Sequence, residues 1–258
     1  MRIMITNDDG IHAPGLAVAE RIAAQVSDDV WIAAPMAEMS GVGHCISYTK
    51  PVRYEQHGAK RFAIDGTPAD CVLVGLFDIM KDNPPDLILS GVNKGNNISE
   101  NTLYSGTVGA AIEGVLHSVR SVALSQFYGP KNVSLDNAFE AAEAHAPALI
   151  RTLVDKASWD DDPYAIFYNI NFPPCPAADV KGAKATVQGR RPEAMFKAER
   201  YKAPNHRDYF WLTGGPQQIT SAPGSDAHAN LDGYISVTPC RADLTAHDLV
   251  QDLSQALG

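Results

Sequence analysis

The sequence lacks the features that mark membrane, secreted and metal-thiolate proteins. None of its four cysteines stands in a C-x-x-C pair, which excludes a zinc ribbon and a dithiol redox motif. No apolar run approaches the roughly 18 residues of a transmembrane helix. No basic segment followed by an apolar one indicates a signal peptide. We therefore expect reduced thiols in a cytoplasmic protein that does not bind membranes.

Three motifs of nucleotide and ester chemistry are also missing. The chain has neither the G-x-x-x-x-G-K-[ST] phosphate loop nor the G-x-S-x-G nucleophile elbow. The stretch Gly41-Val42-Gly43 lacks the third glycine of a dinucleotide-binding fingerprint. A net charge of −9 disfavours binding to a nucleic-acid duplex. An anionic substrate would therefore need a local counter-charge, such as a metal ion, a lysine or backbone N–H groups.

What the sequence does contain is an alternation of strand-like and helix-like segments up to about residue 175. This order predicts an α/β fold, a Rossmann-like three-layer sandwich with a mostly parallel sheet. Apolar runs predict strands at 2–6, 30–34, 61–64, 86–90, 122–124 and 165–172, and helical spacing predicts helices at 16–26, 67–79, 108–116 and 139–153.

The regular alternation of strand-like and helix-like segments ends over residues 176–258. Short strand-like pieces at 208–212 and 234–237 stand among glycines, prolines and charges, and a helix is predicted at 246–257. We expect one domain of 258 residues whose C-terminal extension carries a projecting β-hairpin and a helix. The aromatic run Tyr209-Phe210-Trp211 fits a core and a partner surface equally well.

Polar, glycine-containing loops follow four of the predicted strands, at 7–10, 40–44, 65–68 and 90–97. The carboxyl ends of parallel strands lie at one edge of a sheet, and ligands of open α/β sheets bind there. Four such loops at one edge indicate a site more strongly than any one of them does.

The adjacent aspartates Asp8 and Asp9 raise the question of what balances their charge. Two converging carboxylates repel each other unless a positive charge lies between them. A hard divalent cation, Mg²⁺ or Mn²⁺, prefers such oxygen ligands, and Ser40 and Asn93 could complete its shell. In the alternative interpretation Asp8 caps the first helix and Asp9 is solvated.

A second candidate site precedes the helix predicted at 108–116. The stretch YSGTVGAA places small residues at a helix start, where exposed N–H groups and the helix dipole attract phosphate. The hydroxyls of Ser105 and Thr107 could add donors, or could merely cap the helix. A metal beside a phosphate site indicates phosphoryl transfer to water or another nucleophile.

Other polar residues in these loops are weaker candidates. His12 and His44 could be general acids or support the ligands, although loop histidines are more often structural. Lys94 could contact phosphate or be exposed. Asp65 and Asp70 are expected to be turn and cap residues, because Thr67-Pro68-Ala69-Asp70 has the composition of a helix start.

In combination these motifs resemble the SurE family of survival-protein nucleotidases. The matching segments occur in the family's order and span nearly the whole chain: ITNDDGIHAPGL, AAPMAEMSGVGHCIS, DGTPADCV, PDLILSGVNKGNN, YSGTVGAAIEG and GYISVTPCRADLT. Cys45 and Cys240 depart from the family pattern, at positions outside the proposed ligands.

The resemblance implies a metal-dependent phosphatase of nucleoside 5′- and 3′-monophosphates that also trims short polyphosphate. It implies one divalent cation per subunit, catalytic roles for Asp8 and Asp9, and a homodimer or homotetramer that exchanges C-terminal segments. By motif position, the metal ligands would be Asp8, Asp9, Ser40 and Asn93, and the phosphate-binding residues Asn96, Ser105, Gly106 and Thr107. Two alternatives stay open: a nucleotide sensor without turnover, and a structural protein whose loops are only turns and caps.

Overall fold

A computed structural model describes residues 1–159 and 164–258 of the chain. Its eleven strands are β1 (Arg2–Thr6), β2 (Asp29–Pro35), β3 (Tyr54–Gly58), β4 (Arg61–Ile64), β5 (Leu87–Lys94), β6 (Arg120–Gln126), β7 (Phe167–Phe172), β8 (Ala183–Ala185), β9 (Lys197–Lys202), β10 (Asp208–Thr213) and β11 (Ile235–Cys240). Its α-helices are α1 (Pro14–Ala24), α2 (Pro68–Val74), α3 (Gly106–Leu116), α4 (Glu140–Lys156), α5 (Asp226–Leu231) and α6 (Val250–Leu257).

Nine strands form one sheet in the order β3-β4-β2-β1-β5-β6-β7-β11-β8. Six neighbouring strands of this sheet are parallel to one another, as the alternating pattern predicts: β4, β2, β1, β5, β6 and β7. After β1 the chain builds outward through β2 and β4, and then returns to the other side of β1 for β5, β6 and β7. The strand order therefore reverses between β1 and β5, and this is the position at which open α/β sheets bind ligands.

Helices cover both faces of the sheet, which confirms the three-layer α/β fold. Ile3 and Ile5 of β1 pack in the cluster that contains α1 and α4, whereas Met4 packs in the cluster of α2. Successive side chains of a strand point to opposite faces, so a strand between two helical layers is apolar throughout. Helix α3 adds its own apolar contacts, through Val108 and Val115, on the α2 side.

The helix start at Thr67 is confirmed. The Thr67 hydroxyl accepts the backbone N–H of Asp70 at 3.1 Å, and the Asp70 carboxylate accepts the backbone N–H of Thr67 at 2.8 Å. This reciprocal capping box satisfies two N–H groups that a helix start leaves free. Asp70 is thus a cap residue, as expected, and does not belong to the candidate site.

Three features differ from the sequence prediction. Strand β5 continues to Lys94 past an irregularity between Ser90 and Asn93, so the predicted loop at 90–93 is still strand. Strand β3 is antiparallel at the sheet edge, with every residue exposed, and therefore lacks an apolar pattern. Helix α5 is only six residues long, too short for a clear helical period.

The predicted C-terminal hairpin and helix are both present. Strands β9 and β10 pair with each other and with no strand of the main sheet. The residues of β9 and of α6 are all exposed. In contrast, β8 and β11 belong to the main sheet although they also follow residue 175. In the part of the chain that the structure describes, no helix has the length and apolar composition to cross a bilayer.

Candidate functional site

The turn after β1 is fixed by its own asparagine. Asn7 donates through Nδ2 to the Gly10 carbonyl at 3.0 Å and accepts the Gly10 N–H at 3.2 Å, so its side chain closes the four-residue turn. Gly10 has φ +101°, a conformation that glycine adopts without steric cost. The sequence prediction that Gly10 permits this turn is therefore confirmed, and the turn presents Asp8 and Asp9 at the sheet edge.

An open cleft of about 310 Å³ lies at the switch point between β1 and β5. Of the predicted metal ligands, Asp8, Ser40 and Asn93 line it. The predicted phosphate-binding residues Asn96 and Ser105 line it as well. Residues that the sequence separates by almost one hundred positions thus share one wall, because the loops after β1, β2 and β5 meet at this edge. This was the expected convergence.

Asp8 lies against the start of α3. The Thr107 hydroxyl donates to Asp8 Oδ1 at 2.6 Å, and the backbone N–H of Thr107 also stabilises the carboxylate. A Cβ atom at Gly106 would lie 2.9 Å from the Cβ of Asp8, so this close packing requires glycine. Because the Thr107 hydroxyl is committed to Asp8, it has no proton left to donate to a phosphate.

Burial makes the Asp8 carboxylate costly to ionise. Asp8 is only 4% exposed, and desolvation raises its pKa from 3.8 to about 6. The hydrogen bond from Thr107 opposes this rise, and the charge of Asp9 adds to it. Asp9 is half-buried, and desolvation also raises its pKa. The backbone N–H of Lys94 donates to Asp9 Oδ2 at 3.0 Å, and this hydrogen bond partly offsets the rise in pKa. Two adjacent carboxyls with raised pKa values indicate a site for a cation.

The oxygen atoms at this edge suit a hard divalent cation. Ser40 donates its hydroxyl proton to Glu38 at 2.9 Å, which leaves its oxygen lone pairs free. Asn93 uses Nδ2 to bind the Gly95 carbonyl at 3.2 Å, which leaves its Oδ1 free. Two carboxylates, a hydroxyl and an amide oxygen form the all-oxygen set that Mg²⁺ and Mn²⁺ prefer. Among the described residues no three His, Cys, Asp or Glu side chains cluster as a metal site, and two of the four predicted ligands, Ser40 and Asn93, are neutral.

Asp9 faces a second depression beside the cleft. Asp9, Glu38 and Tyr128 line this depression, and Lys94 lines both it and the cleft. The Nζ atom of Lys94 lies 5.9 Å from the centre of the Tyr128 ring. Asp8 therefore lines the cleft, and Asp9 lines the neighbouring depression.

The start of α3 keeps part of its capacity to bind an anion. Ser105 is the N-cap, and its Oγ accepts the Val108 N–H at 3.0 Å, so the predicted capping role is confirmed. The same hydroxyl still has a proton to donate. The backbone N–H of Gly106 has no helical partner, as at every helix start. Asn96 accepts at Oδ1 from Asn101 at 3.1 Å, and its Nδ2 makes only a long 3.5 Å contact with Gln217.

The two loop histidines have partners away from the cleft. His44 Nε2 lies 2.5 Å from Glu113, which also binds His117 at 3.0 Å. The His12 ring packs 5.9 Å from that of His57. Neither histidine lines the cleft, which agrees with the structural interpretation of both.

Sequence patterns missed four other residues that line the cleft. Tyr104, Asn101, Phe196 and Gln217 all line the cleft. Arg191 lies behind them, fully buried, and pairs with Glu100 at 2.8 Å. A buried arginine is unusual, but the adjacent arginines Arg190 and Arg191 in a polar stretch give no sequence signal of burial.

Comparison with known proteins identifies the family. The family model described as "Survival protein SurE" matches residues 3–195. The chain belongs to the SurE family. The matched SurE stretch contains all the predicted metal and phosphate ligands, whereas Phe196 directly follows it and Gln217 lies in the extension beyond it.

SurE relatives match along the full length of the chain. The protein named 5′-nucleotidase SurE from Jannaschia sp. (strain CCS1) is 57% identical to this chain, over 100% of both sequences. The protein of the same name from Ruegeria sp. (strain TM1040) is 58% identical to it, over 98% of both. The crystal structure of the SurE protein from Aquifex aeolicus superposes with a TM-score of 0.83 at 31% identity, covering 100% of both chains. The SurE fold and membership are thus supported by both sequence and structure.

Proposed function

We propose that the chain is a divalent-metal-dependent phosphomonoesterase that hydrolyses nucleoside 5′- and 3′-monophosphates to nucleoside and phosphate. The observation that carries the proposal is the shared cleft, in which Asp8, Ser40 and Asn93 lie with Ser105 at the start of α3. Cation ligands next to an anion cradle suit a phosphate ester. The relatives named 5′-nucleotidase SurE support the nucleoside part of the substrate.

We assign the metal ligands to Asp8, Asp9, Ser40 and Asn93, with one Mg²⁺ or Mn²⁺ per subunit. When bound, the cation supplies positive charge for the phosphoryl oxygens and makes a water molecule more acidic. Asp8 and Asp9 would hold the cation, and one of them would accept a proton from the attacking water. The hydrogen bond from Thr107 keeps the Asp8 carboxylate oriented and favours its charged form.

The phosphoryl group would be bound by Asn96, Ser105, Gly106 and Thr107. Ser105 offers a hydroxyl proton, Asn96 an amide N–H and Gly106 a backbone N–H, each directed at negative charge. Thr107 contributes through its position in the first turn of α3 and through Asp8. Preorganised donors of this kind stabilise the charge that develops as the ester bond breaks.

The same cradle bears on the breadth of substrates. Its groups would contact only phosphoryl oxygens, which are alike in 5′-nucleotides, 3′-nucleotides and the end of a short polyphosphate. We therefore include 3′-nucleotidase and short-chain exopolyphosphatase activity in the proposal.

We also propose that subunits associate through the C-terminal extension as a homodimer or homotetramer. Tyr209, Phe210 and Trp211 of β10 are 49–66% exposed. On α6, Val250, Leu253 and Leu257 form an exposed apolar stripe with helical spacing. Contiguous exposed apolar groups of this kind mark association surfaces.

Phosphate release from a panel of nucleoside monophosphates tests the function. The assay compares Mn²⁺, Mg²⁺ and EDTA for the wild type and Asp8→Asn, with Asp78→Asn as a matched control, because Asp78 lies outside the cleft. We expect release that needs metal, is lost in Asp8→Asn and persists in Asp78→Asn. Nucleotide binding without phosphate release would favour a sensor instead. If the protein neither bound nucleotides nor released phosphate, the site assignment would be refuted.

A further inference from the structure

One wall of the cleft carries two aromatic rings. Tyr104 and Phe196 are 41% and 49% exposed, and their ring centres lie 5.2 Å apart at an interplanar angle of 72°. Two rings at this angle form a corner: a third flat ring can stack on the face of one and meet the other edge-on. Aromatic groups left half-exposed inside a cleft are available to a ligand in a way that core aromatics are not.

The position of this corner relates it to the phosphate cradle. Tyr104 immediately precedes Ser105, so their Cα atoms lie about 3.8 Å apart. Tyr104, Phe196 and Ser105 also line the same cleft, so a ligand whose phosphoryl group meets Ser105 has both rings within the cleft that it occupies.

The polarity of this wall points to a neutral ligand group. Among the described residues that line the cleft, the charged ones are Asp8 and Lys94, both from the strand ends. The aromatic corner is accompanied instead by Asn101 and Gln217, whose amides are joined at 2.7 Å. A flat group with a polar, uncharged edge matches both the rings and the amides.

Phe196 is held in place by the extension. Arg191, five residues before Phe196, is anchored to Glu100 and to the Gln217 carbonyl, the latter at 3.0 Å. Phe196 leads directly into β9, and the chain returns from β10 to Gln217 on the same wall. The base of the hairpin thus forms part of the cleft, while its tip projects away.

From these observations we infer that Tyr104 and Phe196 form a nucleobase subsite, on which the base of a nucleoside monophosphate stacks while its phosphoryl group meets Ser105. This inference rests on the proposed function and assigns the part of the substrate that the metal and phosphate ligands do not touch. Stacking tolerates every base, since each has a π-face, so the subsite favours nucleotides over other phosphate esters without selecting one base.

The test compares AMP with ribose 5-phosphate, which has the same sugar and phosphate but no base. For Phe196→Ala we expect the ratio of kcat/KM for AMP to that for ribose 5-phosphate to fall roughly 5- to 100-fold, the effect of losing one stacking contact. The loss should appear in KM, and Phe196→Tyr, which keeps a ring, should restore the ratio. Phe77→Ala is the matched control, because Phe77 is an exposed aromatic that packs on His117 outside the cleft.

The subsite would be refuted if Phe196→Ala and Tyr104→Ala had the same ratio of kcat/KM for AMP to that for ribose 5-phosphate as the wild type. The proposed nucleotidase activity would then still stand. If the wild type released phosphate from neither compound, the proposed function would fail instead. Calorimetric titration with AMP and ribose 5-phosphate then decides the subsite without turnover. Weaker AMP binding in Phe196→Ala than in Phe77→Ala supports it, and equal binding refutes it.

Discussion

The hydroxyl of Thr107 donates a 2.6 Å hydrogen bond to Oδ1 of Asp8. This contact joins the turn after the first strand to the start of α3, ninety-nine residues later in the chain. It fixes a carboxylate that burial would otherwise leave poorly solvated. The metal side and the phosphate side of the candidate site are therefore one hydrogen-bonded unit.

Removing this hydroxyl should alter the acidity of Asp8. In Thr107→Val the carboxylate loses a donor that favours its charged form, so the pKa of Asp8 should rise above about 6. Binding of Mn²⁺ to the metal-free protein needs the charged carboxylate, so we expect the acidic limb of the pH dependence of Mn²⁺ affinity to move to higher pH. Thr152→Val is the control, since the Thr152 hydroxyl donates to the Ala148 carbonyl on an exposed face of α4, away from Asp8. An unchanged acidic limb would contradict this role of Thr107.

The raised pKa of Asp8 also predicts how the metal-free protein responds to pH. Because the folded pKa (about 6) exceeds the ordinary value of 3.8, the folded state binds a proton more tightly than the unfolded state. Stability should then be highest below pH 3.8, as far as Asp8 is concerned, and fall as the pH rises to 6, by about 3 kcal/mol. Urea unfolding in EDTA across this range measures the effect.

The control for this measurement is Asp8→Asn. An asparagine does not titrate, so the difference in unfolding free energy between Asp8→Asn and the wild type should grow from pH 4 to pH 6 and then level off. A difference that is constant with pH would show that Asp8 is ionised without cost.

The buried ion pair of Arg191 and Glu100 should be costly to break. Arg191 has a fully buried side chain that also contacts the Asn96 amide oxygen at 3.4 Å and the Ile98 carbonyl at 3.3 Å. Replacing one member of such a pair leaves an uncompensated charge, so Arg191→Met should lower the free energy of unfolding by about 3 to 5 kcal/mol. Denaturant unfolding checks this value.

Two further variants separate charge from packing. Glu100→Gln combined with Arg191→Met leaves no unpaired charge and should recover part of the lost stability. Arg53→Met breaks an exposed pair with Glu55 and should change stability little. Equal losses in Arg53→Met and Arg191→Met would contradict the importance of burial.

The apolar stripe on α6 should control assembly. Leu253→Lys places a charge within the stripe and should shift the protein toward monomers in light-scattering measurements. Gln255→Lys adds the same charge about 190° from the centre of the stripe and should leave the assembly unchanged. If both variants assembled like the wild type, α6 would lie outside the subunit interface.

Much of this molecule was predictable from local patterns. The buried parallel strands β1, β2 and β5 are marked by apolar runs, and the start of α2 by Thr67, Pro68 and Asp70. Gly10 marks the turn that presents the aspartates. These features depend on residues within a few positions of one another. Their physical causes are the side-chain period, helix capping and the permitted φ values, all of which the local sequence determines.

The tertiary structure alone decided which side chains of these distant segments contact each other. The commitment of the Thr107 hydroxyl to Asp8, the burial of Arg191 against Glu100 and the corner formed by Tyr104 and Phe196 each join residues far apart in the chain. Whether such groups meet depends on strand order, register and the packing of loops, and no local period encodes these. The sequence determined which chemical groups stand at the strand ends, and the fold determined which of them bind each other and which face the cleft.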